Sequence, residues 1–113
     1  MITDLTYLKG MSGENPEIIK EMIGIFIEQV NEISHDMIQA LDEKDWLSLS
    51  RLAHKAKSSV AIMGMAELES DLKRLERIAV EGKEIDNFKL LVEKFTGDSR
   101  IAVEELKIFA KTK

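Results

Sequence analysis

From Pro16 onward, Ile19, Ile23, Phe26, Val30, Ile33, Met37 and Leu41 recur at alternating spacings of four and three. That pattern admits little besides a long amphipathic helix with one apolar stripe. Asn15-Pro16-Glu17 reads as its start: Asn15 caps free amides, Pro16 suits the first helical position, and Glu17 and Glu21 complement the helix dipole. The pattern stops around Asp42–Lys44, so the helix has about 26 residues and is roughly 39 Å long at 1.5 Å per residue. A stripe of that length must be covered by elements of similar length.

The rest of the chain provides them. Asp45 reads as the N-cap of a second long helix, with Leu49, Leu52, Ala56, Ser59 or Val60, and Met63 facing inward and Gly64 as the residue that ends it. A third helix is expected over Ala66–Glu81, with Leu68, Leu72, Leu75 and Ala79 inside and Gly82 at its end. The last starts near Asp86 and carries Phe88, Val92, Phe95, Ala102, Leu106 and Phe109. Gly97-Asp98-Ser99 weakens its composition, but the register runs through, which favours one helix over two. A short helix is expected around Thr3–Leu8, before the break at Gly10–Gly13. With one Pro and six Gly in 113 residues and no alternating Val/Thr/Tyr run, no strand is expected. Short loops force antiparallel neighbours. The expected fold is therefore all-α: an antiparallel up-and-down four-helix bundle with a short extra N-terminal helix, spanning 1–113 as a single domain.

Charge and composition remove several functions. The net charge is −5 with a pI near 5.1, and the 16 basic residues are scattered among 21 acids, which argues against a nucleic-acid partner. Cysteine is absent, so disulfides, thiol catalysis and thiolate metal sites are excluded. MITDLTYLKG lacks the basic-then-apolar order of a secretory signal, and no apolar run approaches the roughly 18 residues of a membrane span. The expected compartment is the cytoplasm.

Few residues offer chemistry. Glu32-Ile33-Ser34-His35 spells the Glu-x-x-His of bundle metal sites only once, where two copies are needed. His35 also lies opposite Phe26 on the helix wheel and reads as a solvated surface residue, so no metal is expected. His54 differs. At 100° per residue, Leu47, Ser50, Arg51, His54, Lys57, Ser58 and Ala61 cluster on one face of the second helix. The core stripe, through Leu52, Ala56 and Val60, lies on the other. His54 is thus expected to be exposed midway along a rigid helix. Between Trp46 and Ala66 there is no acid, while Arg51, Lys55 and Lys57 supply positive charge. Such a face suits an anion, although solvation alone accounts for many outer helix faces.

The spelling Leu52-Ala53-His54-Lys55-Ala56-Lys57-Ser58-Ser59-Val60-Ala61-Ile62-Met63-Gly64 resembles the signature of the histidine-containing phosphotransfer (HPt) family, A-H-x-L-K-G-S/A followed by small or apolar residues and a glycine. Asn15–Ile19 resembles the family's opening of the preceding helix, Asp42–Trp46 its connection, and Leu72–Glu76 its following helix; the likeness covers about residues 5–108. Two positions depart from the pattern. Ala56 stands where Leu is usual, thinning the core behind the histidine, and Ser58 stands where Gly leaves room for a partner.

The resemblance implies that His54 is phosphorylated and Lys57 stabilises charge on the moving group. The partner is then a receiver domain of a response regulator or hybrid histidine kinase, which brings an aspartyl phosphate and Mg²⁺. The chain itself needs no cofactor, has no ATP-binding motif and is a carrier rather than an enzyme. Leu47, Arg51, Lys55, Ser58 and Ala61 are the expected docking residues, and the chain is expected to be a monomer. The first long helix also carries surplus apolar surface, with Ile18 and Ile25 on one flank and Ile27 and Ile38 on the other. One flank is expected under the N-terminal segment and the other, beside His54, open to the receiver. A non-catalytic helical adaptor and a subunit of a larger oligomer are the competing classes.

Overall fold

The computed structural model describes residues 2–111, and every regular element among them is helical. The order is α1 (Thr6–Met11), α2 (Pro16–Asp42), α3 (Trp46–Ile62), α4 (Ala66–Glu81), a 3₁₀ turn (Ile85–Asn87) and α5 (Phe88–Lys111). The four long helices close a ring in which α2 touches α3 and α5, and α4 touches α3 and α5. The result is a bundle of 43 × 20 × 20 Å, its long axis close to the length of the 27-residue α2.

Local chemistry sets the boundaries. The Asn15 side chain accepts from the amides of Glu17 and Ile18, with Pro16 opening α2. Asp45 accepts from the Ser48 amide at 3.2 Å and from its hydroxyl at 2.7 Å, fixing the start of α3. Four helix ends close in the same way, with paired backbone bonds around a residue of positive φ. At the end of α3, Gly64 N–H donates to Ala61 O and Met65 N–H to Val60 O; Gly13, Gly82 and Lys44 occupy the equivalent place after α1, α4 and α2. The expected end at Gly64 is therefore observed, for the conformational reason anticipated. Lys44 takes a glycine-like position at φ 57°, a backbone choice that costs a non-glycine residue roughly 1 kcal/mol.

The core is one continuous apolar cluster, with Phe88, Phe95, Leu8, Ile33, Met37, Leu49, Leu72, Leu75 and Leu106 fully enclosed. Trp46 meets Phe88 edge-on at 5.0 Å, joining the start of α3 to the start of α5. Lys94 on α5 reaches Glu67 at 2.6 Å and Asp71 at 2.8 Å on α4, and the two carboxylates hold its amine protonated well above the usual lysine range. α5 passes through Gly97 without a break because Ser99 is buried between Phe95 and Ala102, keeping the stripe in register.

Several details differ from the sequence reading. The first helix starts at Thr6, three residues late, because the Asp4 carboxylate accepts from both the amide and hydroxyl of Thr6. The preceding residues serve as a strap: Ile2 and Thr3 donate to Glu105 on α5, and the Asp4 amide donates to Met63 O. That strap packs so closely on the end of α3 that a Cβ at Gly64 would run into the Asp4 carbonyl oxygen. On α2, Ala40 rather than Leu41 is the last buried position; on α3, Ala53 is buried and Leu52 only half so. The N-terminal segment does not cover an α2 flank, since Ile18, Ile25 and Ile38 all stay exposed while Ile27 packs partly against the core.

Candidate functional site

α3 turns its small residues inward. Ala53, Ala56 and Val60 are fully buried, which lets α3 sit close against its neighbours and leaves His54, one residue past Ala53, facing out. The imidazole is 66% exposed, midway along the helix. Leu47, Arg51, Lys55 and Ser58 share that exposed ridge, and Ala61 is half-buried at its edge. The expected face is thus assembled with two exceptions. Ser50 is buried, because its hydroxyl donates to the Glu76 carbonyl at 2.8 Å and pins α3 to α4 one turn before His54. Lys57 is only 26% exposed, lying along the α4 side.

The residue that organises the site comes from α4. Glu76 Oε2 lies 2.8 Å from His54 Nδ1, and Oε1 of the same carboxylate accepts from Lys57 Nζ at 2.9 Å. The Lys57 ammonium, with a smaller pull from the imidazole, holds the Glu76 carboxyl below the usual carboxylate range against the opposing cost of burial. An ionised carboxylate can only accept, so Nδ1 must carry the proton of this hydrogen bond. In the neutral ring, Nε2 then holds the lone pair and is the free nitrogen of an exposed imidazole. The arrangement presents a nucleophilic nitrogen on a fixed ring, with a carboxylate behind it and an ammonium beside it.

Glu76 received no role from the sequence beyond its place in the stretch Leu72–Glu76. A signal was present: α3 carries three cations and no acid, so its counter-charge had to come from a neighbouring helix. On α4, Glu76 follows the buried Leu75 and stands at the flank of the stripe, where a side chain borders the adjoining helix. His35 is exposed, as expected.

Two clefts flank the ridge on its α2 and α1 side. Met22, Ile25 and Phe26 of α2 meet Ser59, Ile62 and Met63 across a small apolar notch, bridged where the Ser59 hydroxyl donates to Gln29 at 2.8 Å. The second cleft joins Tyr7 of α1 to Lys57, Ser58, Ala61 and Ile62 of α3, with Glu69 of α4 at its edge. Ile62 belongs to both, so an apolar strip runs from Ile25 past Ser58 to Tyr7. Ile25 and Tyr7 remain exposed. Among the described residues, no group of His, Asp and Glu is arranged to hold a metal, and no helix is long and apolar enough to cross a membrane.

The comparisons with known proteins converge on this helix and its neighbours. A phosphorelay intermediate protein of Candida albicans (strain SC5314 / ATCC MYA-2876), named YPD1, is 32% identical over 91 residues, covering 79% of this chain. The chain spans about half the length of that curated relative, 48% of it being matched. No solved structure matches. The family model for the Hpt domain matches residues 21–107, a span holding His54, Lys57 and Glu76 and nearly all of the four-helix bundle, and the chain belongs to the Hpt domain family.

Proposed function

We propose that this chain is a histidine phosphotransfer protein of a two-component phosphorelay, carrying a phosphoryl group on His54 between receiver-domain aspartates. The observation that carries the reading is the Glu76 hydrogen bond to Nδ1, which leaves Nε2 as the available nucleophile on an exposed ring. Phosphoryl transfer asks mainly for an in-line nucleophile and stabilisation of charge. The Nε2 lone pair attacks phosphorus, the bond from phosphorus to the partner's aspartyl oxygen breaks, and the carboxylate leaves. The ring gains positive charge as the N–P bond forms, and Glu76 stands where that charge develops. Lys57, held against Glu76 beside the ring, is placed to turn toward the phosphoryl oxygens. The receiver supplies its own Mg²⁺, and the chain acts as a phosphocarrier with no ATP site of its own.

The receiver docks over the ridge of Leu47, Arg51, Lys55, Ser58 and Ala61, extended by the apolar strip of Ile25, Ile62 and Tyr7. Support comes from the continuity of that strip with Ser58 and Lys57, and from the named role of the Candida relative as a phosphorelay intermediate. Residues 1–113 act as a single unit, as a cytoplasmic monomer, without nucleic acid and without insertion into a membrane. The test is incubation with a panel of phosphorylated receiver domains. Label should appear as acid-labile phosphohistidine and vanish in His54→Gln, while binding persists. Receivers that bind without ever passing label to the parent protein would make the chain an adaptor.

A further inference from the structure

The two sides of His54 differ in chemistry. On the α2 and α1 side lies the apolar strip of Ile25, Ile62 and Tyr7. On the α4 side, Ser50, Lys57, Lys73, Glu76, Arg77 and Val80 line an open hollow of about 360 Å³ between α3 and α4. Its only carboxylate is Glu76, whose two oxygens are taken by His54 and Lys57. Lys73 and Arg77 are exposed and enter no ion pair among the described residues. Arg77 does feel Glu84, but that carboxylate is bonded to Arg74 at 2.6 Å. Two cations outside any ion pair among the described residues therefore line the hollow beside Lys57 and the imidazole's carboxylate partner Glu76, in a chain of net charge −5.

We propose that Lys73 and Arg77 form a basic rim that reads an acidic patch on the docking receiver, speeding its approach and fixing how it is turned over His54. The inference rests on the carrier reading and adds to it what the partner must look like. Charges at the edge of an interface act mainly on the association rate and on orientation. An apolar strip on one side and a basic rim on the other admit a complementary partner one way round. The turned orientation would set the partner's acids against Ile25 and Tyr7 and leave Lys73 and Arg77 unmatched. The same rim suits a protein patch better than a nucleic acid, since the chain as a whole carries a net charge of −5 and repels a polyanion.

The experiment uses the full chain and a receiver domain found to label it. Association is followed by stopped flow for the parent, for Lys73→Gln with Arg77→Gln, and for Lys73→Glu with Arg77→Glu. Phosphorylation by phosphoramidate, which needs no docking, is measured in parallel. The neutral pair should lower the association rate about tenfold at low salt and the reversed pair further, with the difference closing as salt screens it. Dissociation and phosphoramidate labelling should hardly change. Equal association rates and salt dependence in all three proteins would overturn the rim while leaving the carrier intact. If no receiver labels even the parent, the carrier reading falls and takes the rim's partner with it.

Discussion

His54 Nδ1 and Glu76 Oε2 lie 2.8 Å apart and join α3 to α4, so the orientation of the imidazole is set by a residue 22 positions away in the chain. The carboxylate is in turn held by Lys57, and the Ser50 hydroxyl fixes the backbone that carries it. A side chain that is two-thirds exposed thus has a defined tautomer and a defined plane.

From this pairing, the phosphoryl group should be found on Nε2. ¹⁵N NMR of the unmodified protein should show the Nδ1–H tautomer, and the phosphorylated protein should carry its N–P bond at Nε2. Glu76→Ala should mix the tautomers and slow transfer from a receiver by about tenfold, equivalent to about 1.4 kcal/mol in the barrier. Glu76→Gln keeps an acceptor but loses the charge, and should fall between. A phosphoryl group on Nδ1 would mean that the Glu76 contact breaks before reaction and has no positioning role.

Lys57 is the first cause of the low Glu76 carboxyl pKa, and this gives a measurement independent of transfer. Lys57→Ala should move the Glu76 carboxyl back up toward the ordinary range in an NMR titration. The transfer rate should fall as well, because a cation near the moving group is lost. Stability should change by less than about 1 kcal/mol, the usual scale for a partly exposed ion pair. An unmoved Glu76 titration would show that the pair is not formed in solution.

The same depressed pKa fixes the sign of a pH effect. Glu76 titrates lower in the folded chain than in the unfolded one, so the unfolded state binds the extra proton as pH falls. Its stabilisation is complete above the ordinary carboxylate range and is lost as pH drops through the folded value. Glu76→Gln should therefore flatten part of the acid limb of stability below about pH 4.5, by a few tenths of a kcal/mol for a partly exposed pair. Chemical denaturation of both proteins between pH 3 and pH 7 measures it.

The long helices were legible because each carries an apolar stripe of one period over four or more turns, and Asn15, Asp45, Gly64 and Gly82 mark ends by local chemistry alone. His54 was legible for the same reason: its angle from the stripe places it outside. What sequence periodicity does not contain is the rotation of α3 about its axis. Burial of Ala53 in place of Leu52 turns Ser50 under α4 and draws Lys57 to its edge. Glu76 was missed on the same account, since meeting His54 depends on that rotation and on how α3 and α4 slide past each other. Thr3 and Asp4 of the strap were read as helix because they give no local sign of their distant partners Glu105 and Met63.

Gly64 and Gly82 should respond differently to alanine, although both sit at φ near 70°. A Cβ at Gly82 meets nothing within 4 Å, whereas at Gly64 it meets the Asp4 carbonyl and lies 2.6 Å from the Asp4 Cβ. Gly82→Ala should cost only the left-handed backbone term, about 1–2 kcal/mol. Gly64→Ala must in addition lift the strap and its hydrogen bond to Met63, a further cost of about 1 kcal/mol. Thermal melts should rank Gly64→Ala below Gly82→Ala, and hydrogen exchange should show the Asp4 amide deprotected only in the former. Equal melting points would mean that the strap is not packed on α3 in solution.

Ser58 separates approach from chemistry. It stands one helical turn after His54, exposed, on the rim of the cleft formed with Tyr7, Ala61 and Ile62. Among the described residues, it makes no hydrogen bond to His54, Lys57 or Glu76. Ser58→Gly should widen the approach at a helix-propensity cost of a few tenths of a kcal/mol, with transfer equal to or faster than the parent's. Ser58→Leu and Ser58→Phe fill the cleft from its edge without touching the Glu76 contacts. Both should lose transfer from a receiver while keeping phosphorylation of His54 by phosphoramidate, a donor small enough to pass. Loss of both routes together would give Ser58 a part in holding the imidazole. Retention of both would place the partner's approach on the other side of His54, over Leu47 and Arg51 rather than over Ser58 and Tyr7.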